Sequence, residues 1–579
     1  MRSRQVLLFS ATFSLLTLFV VWYIRQERYI YFWDFDMYHY LYRALGRRFS
    51  ESPVDAVHAI VASVRADDYN MLPTLFLMPF SFVFGSGRLA YILAVTVSFA
   101  FPAIFLFTRL MDHLHRSDSR TNEEDKFLFL LIAIAVIALA PQFWLPILRG
   151  YVDVIGLNVI FLVLILYLRR DIAEHSSRHL IALGLLLSLL ILLRRWYAYW
   201  VVGFFCAMAA SILVSALLDR PPMTTLKRSC KNMVIVGATA VLSFFVIATP
   251  IAMNMLTTNY REVYAGYRSS DSIVFHVASL SHYFGMPFLA TSILGLVLLS
   301  AQAGKRRIAF FLAVQFTTTF LLFTRTQNLG IHHDYWVSVT IFLLTAFFLC
   351  EGCAWLQTRR LKMTFASILL TASLANFLGT FHTETHDFFS PVSFALPQGQ
   401  FYPLKRSDFA QVQSLLQKLD QLARDSDGKI YILASSVVLN GTIVRNGCDI
   451  FASTLVDLER KLLATHDVDK RDGLPFQFFQ AQYVVVTDPV SYHLSPEHQR
   501  VVGLLADELL KGEGLGRAYE RLPFAFPLGD GSTAFIYKKN APFQEDDLQR
   551  LSDTFVGLYP DDKEKFAITP EVRRKLSHL

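Results

Sequence analysis

Two carboxylates near the start of the chain, Asp34 and Asp36, are the residues best placed for acid–base chemistry. They lie in the segment YFWDFDMYHYLYRALGRR, which follows the first long apolar run and surrounds both acids with aromatic residues. Apolar residues then recur at helical spacing, so one interpretation is that Asp36 caps a helix lying at the membrane surface. Capping explains one acid and leaves the other unexplained. The alternative is that the segment holds a general base, a carboxylate that removes a proton from a substrate hydroxyl.

The composition places these acids in a polytopic membrane protein. Of 579 residues, 54% are hydrophobic and 17% are charged, and the mean hydropathy is +0.39, which is too apolar for a soluble protein. The net charge is +7, but the basic residues form short clusters between apolar runs, so no nucleic-acid partner is expected. Cys350 and Cys353 form a single Cys-x-x-Cys pair at the end of an apolar run. Without a second pair they do not predict a zinc site.

Eleven apolar segments predict membrane-spanning helices. Lys and Arg cluster after every even-numbered segment, as they do in cytoplasmic loops, so we predict a cytoplasmic N-terminus and an extracytoplasmic C-terminus. A further apolar segment at 70–84 contains Pro73 and Pro79, and we interpret it as a juxtamembrane helix because counting it as a crossing would place every basic cluster outside. The predicted spans are approximately residues 5–24, 88–108, 127–145, 154–168, 179–193, 197–218, 233–255, 287–300, 308–323, 335–350 and 363–379.

From residue 381 the composition becomes that of a soluble domain. The apolar, β-branched segments at 429–438, 481–486 and 533–539 predict strands, with a helical stretch at 453–464 and a charged helical tail from about residue 545. We therefore predict two domains. A transmembrane domain occupies residues 1–380 and carries the acidic motif in an external loop at 25–87, and an extracytoplasmic α/β domain occupies residues 381–579.

In this topology, polar residues collect at the extracytoplasmic ends of the spans. For any single arginine the alternative is that it extends to the lipid headgroups, as isolated charges at helix ends commonly do. Their convergence with two carboxylates favours a site that binds an anionic headgroup and performs acid–base chemistry. The residues concerned are Arg149, Tyr151, Asp153, Arg194, Arg195, Trp196, Tyr197, Arg261, Tyr264, Tyr267, Arg268, Arg325, Gln327, Asn328, His332, His333, Asp334 and Tyr335.

The order of these features resembles that of the GT-C glycosyltransferases, and within them the protein mannosyltransferase and aminoarabinose transferase group. The resemblance covers the topology of residues 1–380: a first span, an acidic motif in an external loop, a second acid after the third span and a basic residue after the fifth. Asp34 with Tyr38 resembles the family's Asp-Glu-x-x-Tyr signature, in which the first Asp is the catalytic base, although the Glu is absent here. Oligosaccharyltransferases, which are similar in the membrane part, carry an acid followed by x-Tyr, and Asp36 with Tyr38 fits that spacing equally well. Their Trp-Trp-Asp-Tyr-Gly motif is absent from residues 381–579.

The resemblance also implies roles for the other polar residues. Asp153 matches the second external acid, and Arg194 or Arg195 stands where a Lys contacts the donor phosphate. The candidate donor-phosphate residues are Arg149, Arg194, Arg195, Arg325, His332, His333 and Tyr335. The candidate substrate-loop residues are Tyr38, His39, Arg261, Tyr264 and Arg268.

These features predict a membrane glycosyltransferase that moves a sugar from a polyprenyl-phosphate donor to a hydroxyl of a glycolipid, polysaccharide or protein. We expect it in a bacterial inner membrane, with the transfer on the extracytoplasmic side. An Asp would take the proton of the acceptor hydroxyl, and arginines would stabilise the phosphate that leaves. The competing function is a transporter or flippase of a lipid-linked sugar, but such proteins usually have repeated halves and midplane polar residues, and the sequence has neither pattern.

No cofactor is expected. The chain has no G-x-x-x-x-G-K loop to hold a nucleotide, and the better family match needs no metal. The alternative is a divalent ion, Mg²⁺ or Mn²⁺. It would be held by Asp34, Asp36, Asp153, His332 and His333 if their loops converge.

Overall fold

The computed structural model of the chain describes residues 2–115, 123–391, 400–450 and 455–577. The chain divides into two compact units. The helical unit comprises Met1–Gln26, Asp34–Thr258 and Ser270–Pro403, and the sheet unit comprises Glu27–Trp33, Asn259–Ser269 and Leu404–Leu579. Two short segments that adjoin apolar helices, 27–33 and 259–269, therefore fold with the C-terminal part of the chain.

The chain is a polytopic α-helical membrane protein, and each of the eleven predicted spans is helical. Two spans are bent pairs: Asp125–Ala138 with Pro141–Arg149 at 44°, and Ile273–Phe284 with Met286–Ala301 at 107°. Two others, Val154–Leu168 and Ser177–Leu193, have 15 and 17 residues, near the lower limit of about 17 for a crossing helix. Within the described residues, the helices long and apolar enough to cross alone are Ser3–Gln26, Arg88–His115, Arg195–Leu218, Met223–Thr257, Arg306–Thr324, Asp334–Trp355 and Arg359–Phe381.

Shorter helices fill the segment between the first two spans. The segment 70–84, predicted as one juxtamembrane helix, forms two, each with a proline in its first turn, where the missing N–H costs no hydrogen bond. The short helices of the helical unit are Asp34–Glu51, Pro53–Ala66, Leu72–Leu75, Met78–Phe84 and Thr383–Phe389.

Small residues allow the membrane helices to pack closely. A Cβ atom on Gly295 would lie 2.1 Å from the carbonyl oxygen of Leu344, so Met286–Ala301 and Asp334–Trp355 meet backbone to backbone. Such close approach is the usual way in which membrane helices gain packing contacts, since lipid tails compete for apolar surface.

The sheet unit contains one four-stranded sheet: β1 (Lys429–Leu433), β2 (Ala481–Asp488), β3 (Tyr519–Pro527) and β4 (Thr533–Lys539). The spatial order is β1-β2-β4-β3, with β1 and β2 parallel and the other pairs antiparallel. Alternate residues of β1, β2 and β4 enter two separate cores, one on each face. Because both faces are covered, these strands are continuously apolar, which made them recognisable in the sequence.

The fourth strand, β3, was missed by the sequence analysis. It contains Pro523 and Pro527, and a proline cannot donate to a strand ladder, so it lowers the expectation of a strand. In the structure β3 lies at the edge of the sheet, and its register with β4 shifts between Arg521 and Ala525, around Pro523. An edge position tolerates proline because one side of the strand needs no partner.

Helices cover the sheet, and one strand and one helix of this unit differ from the sequence prediction. The predicted β-strand at 429–438 ends at Leu433, and within the predicted helix at 453–464 the described helix is Val456–Lys461. The charged tail begins as predicted, with Glu545–Leu558. The α-helices that the structure describes in the sheet unit are Tyr260–Val263, Phe409–Asp425, Gly441–Ile450, Val456–Lys461, Asp469–Asp472, Arg500–Lys511, Glu545–Leu558, Lys563–Phe566 and Pro570–Leu576.

Candidate active site

A backbone contact holds the acidic motif beside the turn that follows the bent third span. Gly150 has φ +98°, and a Cβ atom there would lie 2.5 Å from the carbonyl oxygen of Phe35, so glycine is required on both grounds. Arg88 Nη1 donates a hydrogen bond of 2.7 Å to the same Phe35 carbonyl. The Tyr91 hydroxyl donates one of 2.7 Å to the carbonyl of Gly150. Residues 34–36 are therefore anchored next to residues 150–153.

Asp34 is the half-buried acid of the motif. It is the first residue of the helix Asp34–Glu51, and its Oδ1 accepts a hydrogen bond of 2.6 Å from the hydroxyl of Tyr69. Burial, and then the negative charge of Asp34, raise the pKa of Tyr69 well above its ordinary value. Tyr69 therefore stays protonated and remains a hydrogen-bond donor to the carboxylate.

Asp36 is buried and has different partners. Its Oδ1 lies 3.0 Å from Nδ1 of His39, and its Oδ2 accepts a hydrogen bond of 3.2 Å from Nη2 of Arg43. His39 Nε2 lies 2.9 Å from the carbonyl oxygen of Ser86. The interpretation of Asp36 as the helix cap is wrong, because the helix begins two residues earlier and the Asp36 carboxylate faces these side chains instead.

A buried ion pair between Asp153 and Arg194 lies at the centre of the site. Arg194 Nε donates 2.8 Å to Asp153 Oδ1, and Nε1 of Trp196 donates 2.9 Å to the same oxygen. Burial raises the pKa of Asp153, and Arg194 opposes this shift. The remaining carboxylate oxygen, Oδ2, is buried and has no hydrogen-bond partner among the residues that the structure describes. Buried polar atoms rarely lack a partner, so this oxygen is a candidate to accept a hydrogen bond from a ligand.

Arg194 also contacts the residues around Asp34. Its Nη1 donates 3.1 Å to the hydroxyl of Tyr38, and its guanidinium carbon lies 4.5 Å from the ring centroid of Tyr69. A cation over an aromatic face is attracted by about 0.5–2 kcal/mol. The contacts therefore run from Asp34 through Tyr69 and Arg194 to Asp153.

Two histidines of the loop before Asp334–Trp355 join this centre. The His332 ring stacks on Tyr151, with centroids 4.2 Å apart and planes 12° apart, and it lies 3.8 Å from the His333 ring. His333 also meets the edge of Trp196 at 5.3 Å. Burial and then Arg194 lower the pKa of His332 well below its ordinary value, so its ring is neutral.

Other predicted site residues have contacts of their own. Arg149 is buried, with Nη1 donating 2.7 Å to the Tyr23 hydroxyl and Nη2 donating 3.1 Å to the Tyr402 carbonyl. Arg195 pairs with Asp68. Tyr335 donates 2.8 Å to a backbone carbonyl, and the Arg325 side chain is exposed. The candidate substrate-loop residues Arg261, Tyr264 and Arg268 belong to the sheet unit.

Tyr69 is a site residue that was not predicted from the sequence. It follows Asp67 and Asp68 in the stretch RADDYN, within the same predicted external loop as the acidic motif. This second cluster of acidic and aromatic residues in the loop is the sequence signal that could have indicated Tyr69. Its link to Asp34 spans 35 residues and is visible only in the fold.

No metal centre forms from the predicted ligands. Across residues 2–115, 123–391, 400–450 and 455–577, no three His, Cys, Asp or Glu side chains come together in a way that could hold an ion. Asp36 and Asp153 each face an arginine instead.

No family model and no curated protein matches the chain. Among solved structures, it is similar to ArnT from Cupriavidus metallidurans bound to undecaprenyl phosphate, with 12% identity and a TM-score of 0.49 over 93% of this chain and 98% of that one. It is also similar to the oligosaccharyltransferase AglB from Archaeoglobus fulgidus in complex with an inhibitory peptide and a dolichol-phosphate, with 12% identity and a TM-score of 0.45 over 91% and 74%. A third similar structure is the Archaeoglobus fulgidus oligosaccharyltransferase with Zn and sulfate, at 12% identity and a TM-score of 0.44 over 82% and 67%.

The helices and the site define a multi-pass membrane protein with a carboxylate, tyrosine and arginine centre.

Proposed function

We propose that the helical unit is a glycosyltransferase that moves a sugar from a polyprenyl-phosphate donor to an acceptor hydroxyl on the extracytoplasmic side of a bacterial inner membrane. The observation that carries the proposal is the half-buried Asp34 carboxylate, held by Tyr69 beside the buried Arg194–Asp153 pair. A base that is fixed next to positive charge suits a reaction that removes a proton and releases an anion. The Asp34 and Tyr38 spacing, which resembles a GT-C signature, points to the same reaction.

In the proposed reaction, the acceptor hydroxyl gives its proton to the Asp34 carboxylate. The acceptor oxygen forms a bond to the anomeric carbon of the donor sugar while the bond from that carbon to the phosphate oxygen breaks. The electron pair of the broken bond stays on the phosphate, which leaves as polyprenyl phosphate. No other reactant is consumed.

The arginines have two separate roles in this proposal. Arg194 acts as a positioning residue, because its Nε and Nη1 already hold Asp153 and Tyr38 and its guanidinium supports the Tyr69 ring. Arg325 is exposed at the end of Arg306–Thr324, so it is the arginine that we assign to the donor phosphate. A guanidinium can donate two parallel hydrogen bonds to phosphate oxygens.

The test combines a gene deletion with a reaction of the purified protein. Mass spectrometry compares cell-envelope glycans of deletion cells that carry the parent gene, the Asp34→Asn variant or no gene. The parent should restore one sugar residue that the variant does not. In lipid nanodiscs, the parent should release polyprenyl phosphate from lipid-linked sugars extracted from the same cells.

Two outcomes would reject the proposal. Unchanged glycans in the deletion strain would leave no sugar for the enzyme to transfer. Movement of the lipid-linked sugar across a vesicle bilayer without release of polyprenyl phosphate would identify a transporter, because transport forms no glycosidic bond.

A further inference from the structure

Polar residues follow both parallel strands of the sheet unit at the edge where these strands end. β1 ends at Leu433, two residues before Ser435, and β2 ends at Asp488, shortly before Tyr492 and His493. Ser435 and Tyr492 form a parallel bridge, and the backbone N–H of His493 donates 3.2 Å to the Ser435 carbonyl. In open α/β sheets, ligands bind outside the carboxyl ends of the parallel strands. This edge is therefore a candidate binding site that the sequence motifs did not indicate.

Buried hydrogen bonds fix the His493 ring at this edge. Ser435 Oγ donates 2.8 Å to Asp467 Oδ1 and lies 3.2 Å from His493 Nδ1. Gln499 Nε2 lies 3.1 Å from the same ring nitrogen. Ser435 is fully buried and its hydroxyl binds the carboxylate directly, so these residues do not form a nucleophilic triad. They orient a histidine ring instead.

His493 belongs to a row of aromatic rings contributed by three separate segments of the sheet unit. Trp33 lies 4.3 Å from His493 between ring centroids, and Tyr267 lies 6.5 Å from it on the next segment. Tyr267, Tyr264 and Tyr260 then follow at successive separations of 6.1 Å. We call these five residues the aromatic row. It is longer than a single sugar ring, and Tyr267 is 37% exposed.

Trp33 is held in an unusual backbone conformation. Its φ is +45°, a strained backbone conformation that bulky residues rarely adopt. Its ring Nε1 is buried and has no hydrogen-bond partner among the residues that the structure describes. Strain and an unsatisfied donor in one residue are typical of a ligand site.

A guanidinium that donates hydrogen bonds and carboxylates that accept them lie beside the row. Arg471 binds Asp472 through two hydrogen bonds, Nε to Oδ1 at 2.6 Å and Nη2 to Oδ2 at 2.9 Å, and it lies 3.7 Å from Asp467. Arg471 also interacts electrostatically with Tyr267. The Arg471 side chain is 42% exposed, so its unused N–H groups are open to a ligand.

We propose that the aromatic row and the Arg471–Asp472 pair bind the carbohydrate chain of the acceptor, an assignment that rests on the proposed transferase function. Sugar rings present a flat C–H face to aromatic side chains, and each hydroxyl both donates and accepts. A paired guanidinium and carboxylate offer both kinds of group, which is how polar side chains orient a ligand over an apolar floor. Asp467 and Asp472 beside the rings oppose a polyanion such as nucleic acid. The length of the row fits a chain of sugars rather than the single sugar of a donor.

The experiment measures binding of full-length protein in nanodiscs to an array of defined neutral, amino-substituted and acidic oligosaccharides, with labelled oligothymidylate as a polyanion probe. The variant is Tyr267→Ala, which changes an exposed ring and leaves the buried contacts of His493 intact. The matched control is Phe476→Ala, because Phe476 is a 39% exposed aromatic residue of the same unit outside the row. Thermal unfolding confirms that both variants fold.

The parent and Asp34→Asn should bind the same subset of oligosaccharides. Tyr267→Ala should weaken that binding by about tenfold, and Phe476→Ala should not change it. The inference is overturned if the parent binds no oligosaccharide, if Tyr267→Ala binds as the parent does, or if Tyr267 instead governs oligothymidylate binding. If Tyr267 governs oligosaccharide binding but the protein transfers no sugar, the carbohydrate site stands and the proposed function fails.

Discussion

Asp34 and Asp36 are two residues apart, yet their carboxylates have different surroundings. Asp34 is half-buried and accepts a hydrogen bond from the neutral hydroxyl of Tyr69, whereas Asp36 is buried between His39 and Arg43. Both carboxylate oxygens of buried Asp36 are engaged by side chains of the same helix, whereas half-buried Asp34 has surface that an acceptor hydroxyl can reach. At the scale of single residues, this contrast favours Asp34 as the base.

Asp34→Asn should lower the rate of sugar transfer by about 10²–10⁴-fold, because it keeps the shape of the side chain and removes the proton acceptor. Asp36→Asn should keep measurable activity but destabilise the fold by about 1–3 kcal/mol, because Arg43 loses a charged partner. The measurements are initial rates of polyprenyl phosphate release and thermal unfolding. Normal transfer by Asp34→Asn together with an inactive, folded Asp36→Asn would reverse the assignment.

The arginines should separate into structural and donor-binding residues. The sequence makes Arg149, Arg194, Arg195 and Arg325 candidate donor-phosphate residues, and on that basis alone replacing each by Gln should weaken donor use more than folding. The structure changes this expectation for Arg194, because Arg194→Gln leaves Asp153 buried without a cation and should cost about 3–5 kcal/mol of stability. Arg325→Gln should raise the KM for the donor at an unchanged unfolding temperature.

A double variant provides the control for the buried pair. Asp153→Asn with Arg194→Gln should be more stable than the sum of the two single losses predicts, because no unpaired charge remains. Additive losses would contradict the pairing. An unchanged donor KM in Arg325→Gln would place the phosphate contact elsewhere.

Transfer should proceed in EDTA. The proposed site offers the guanidinium group of Arg325 to the leaving phosphate, which supplies positive charge of the kind that a divalent ion provides in other phosphate sites. The measurement is the transfer rate before and after chelation. Complete loss in EDTA that Mg²⁺ or Mn²⁺ restores would contradict this expectation.

At the scale of elements, the loop between Arg306–Thr324 and Asp334–Trp355 contributes two buried neutral histidines to the centre. Burial lowers the pKa of both His332 and His333 well below the ordinary value of 6.5. In the unfolded chain both rings take up protons as the pH falls through that value. The folded loop excludes these protons, so protonation favours unfolding.

Stability should therefore be constant above about pH 6.5 and fall below it, by up to about 1.4 kcal/mol per pH unit for each histidine. Replacing His332 with Gln should remove part of this dependence of stability on pH. Replacing both His332 and His333 with Gln should remove more of it. Unfolding temperatures between pH 8 and pH 5 measure the effect. Parallel curves for the parent and the double variant would show that other groups cause the pH dependence.

At the scale of the whole molecule, the basic clusters predict the orientation of the chain. Eleven spans and a cytoplasmic N-terminus predict that Leu579, which lies outside the described residues, is extracytoplasmic. Alkaline phosphatase is a suitable reporter because it is active only outside the cytoplasm. Alkaline phosphatase fused after Leu579 should be active, and the same enzyme fused after Thr358, in the loop between Asp334–Trp355 and Arg359–Phe381, should be inactive. The reverse pattern would invert the topology.

The membrane helices are predictable from local sequence. In lipid, each helix satisfies its own backbone hydrogen bonds, so an apolar run of sufficient length specifies a helix without help from distant residues. The same local logic located β1, β2 and β4, whose apolar runs are buried on both faces. The two carboxylates among aromatic residues also identify the segment that contains Asp34 and Asp36 as a candidate site.

The contacts of Asp34 and of Asp153 are not predictable from local sequence. Tyr69 lies 35 residues from Asp34, and Asp153 lies 41 residues from Arg194, so neither pairing follows from local spacing. The same holds for Tyr267, which the fold brings to His493. Hydrogen bonds, ring contacts and burial set the roles of polar side chains, and all three depend on distant segments packing together. Helix formation in a membrane, in contrast, depends on the segment alone.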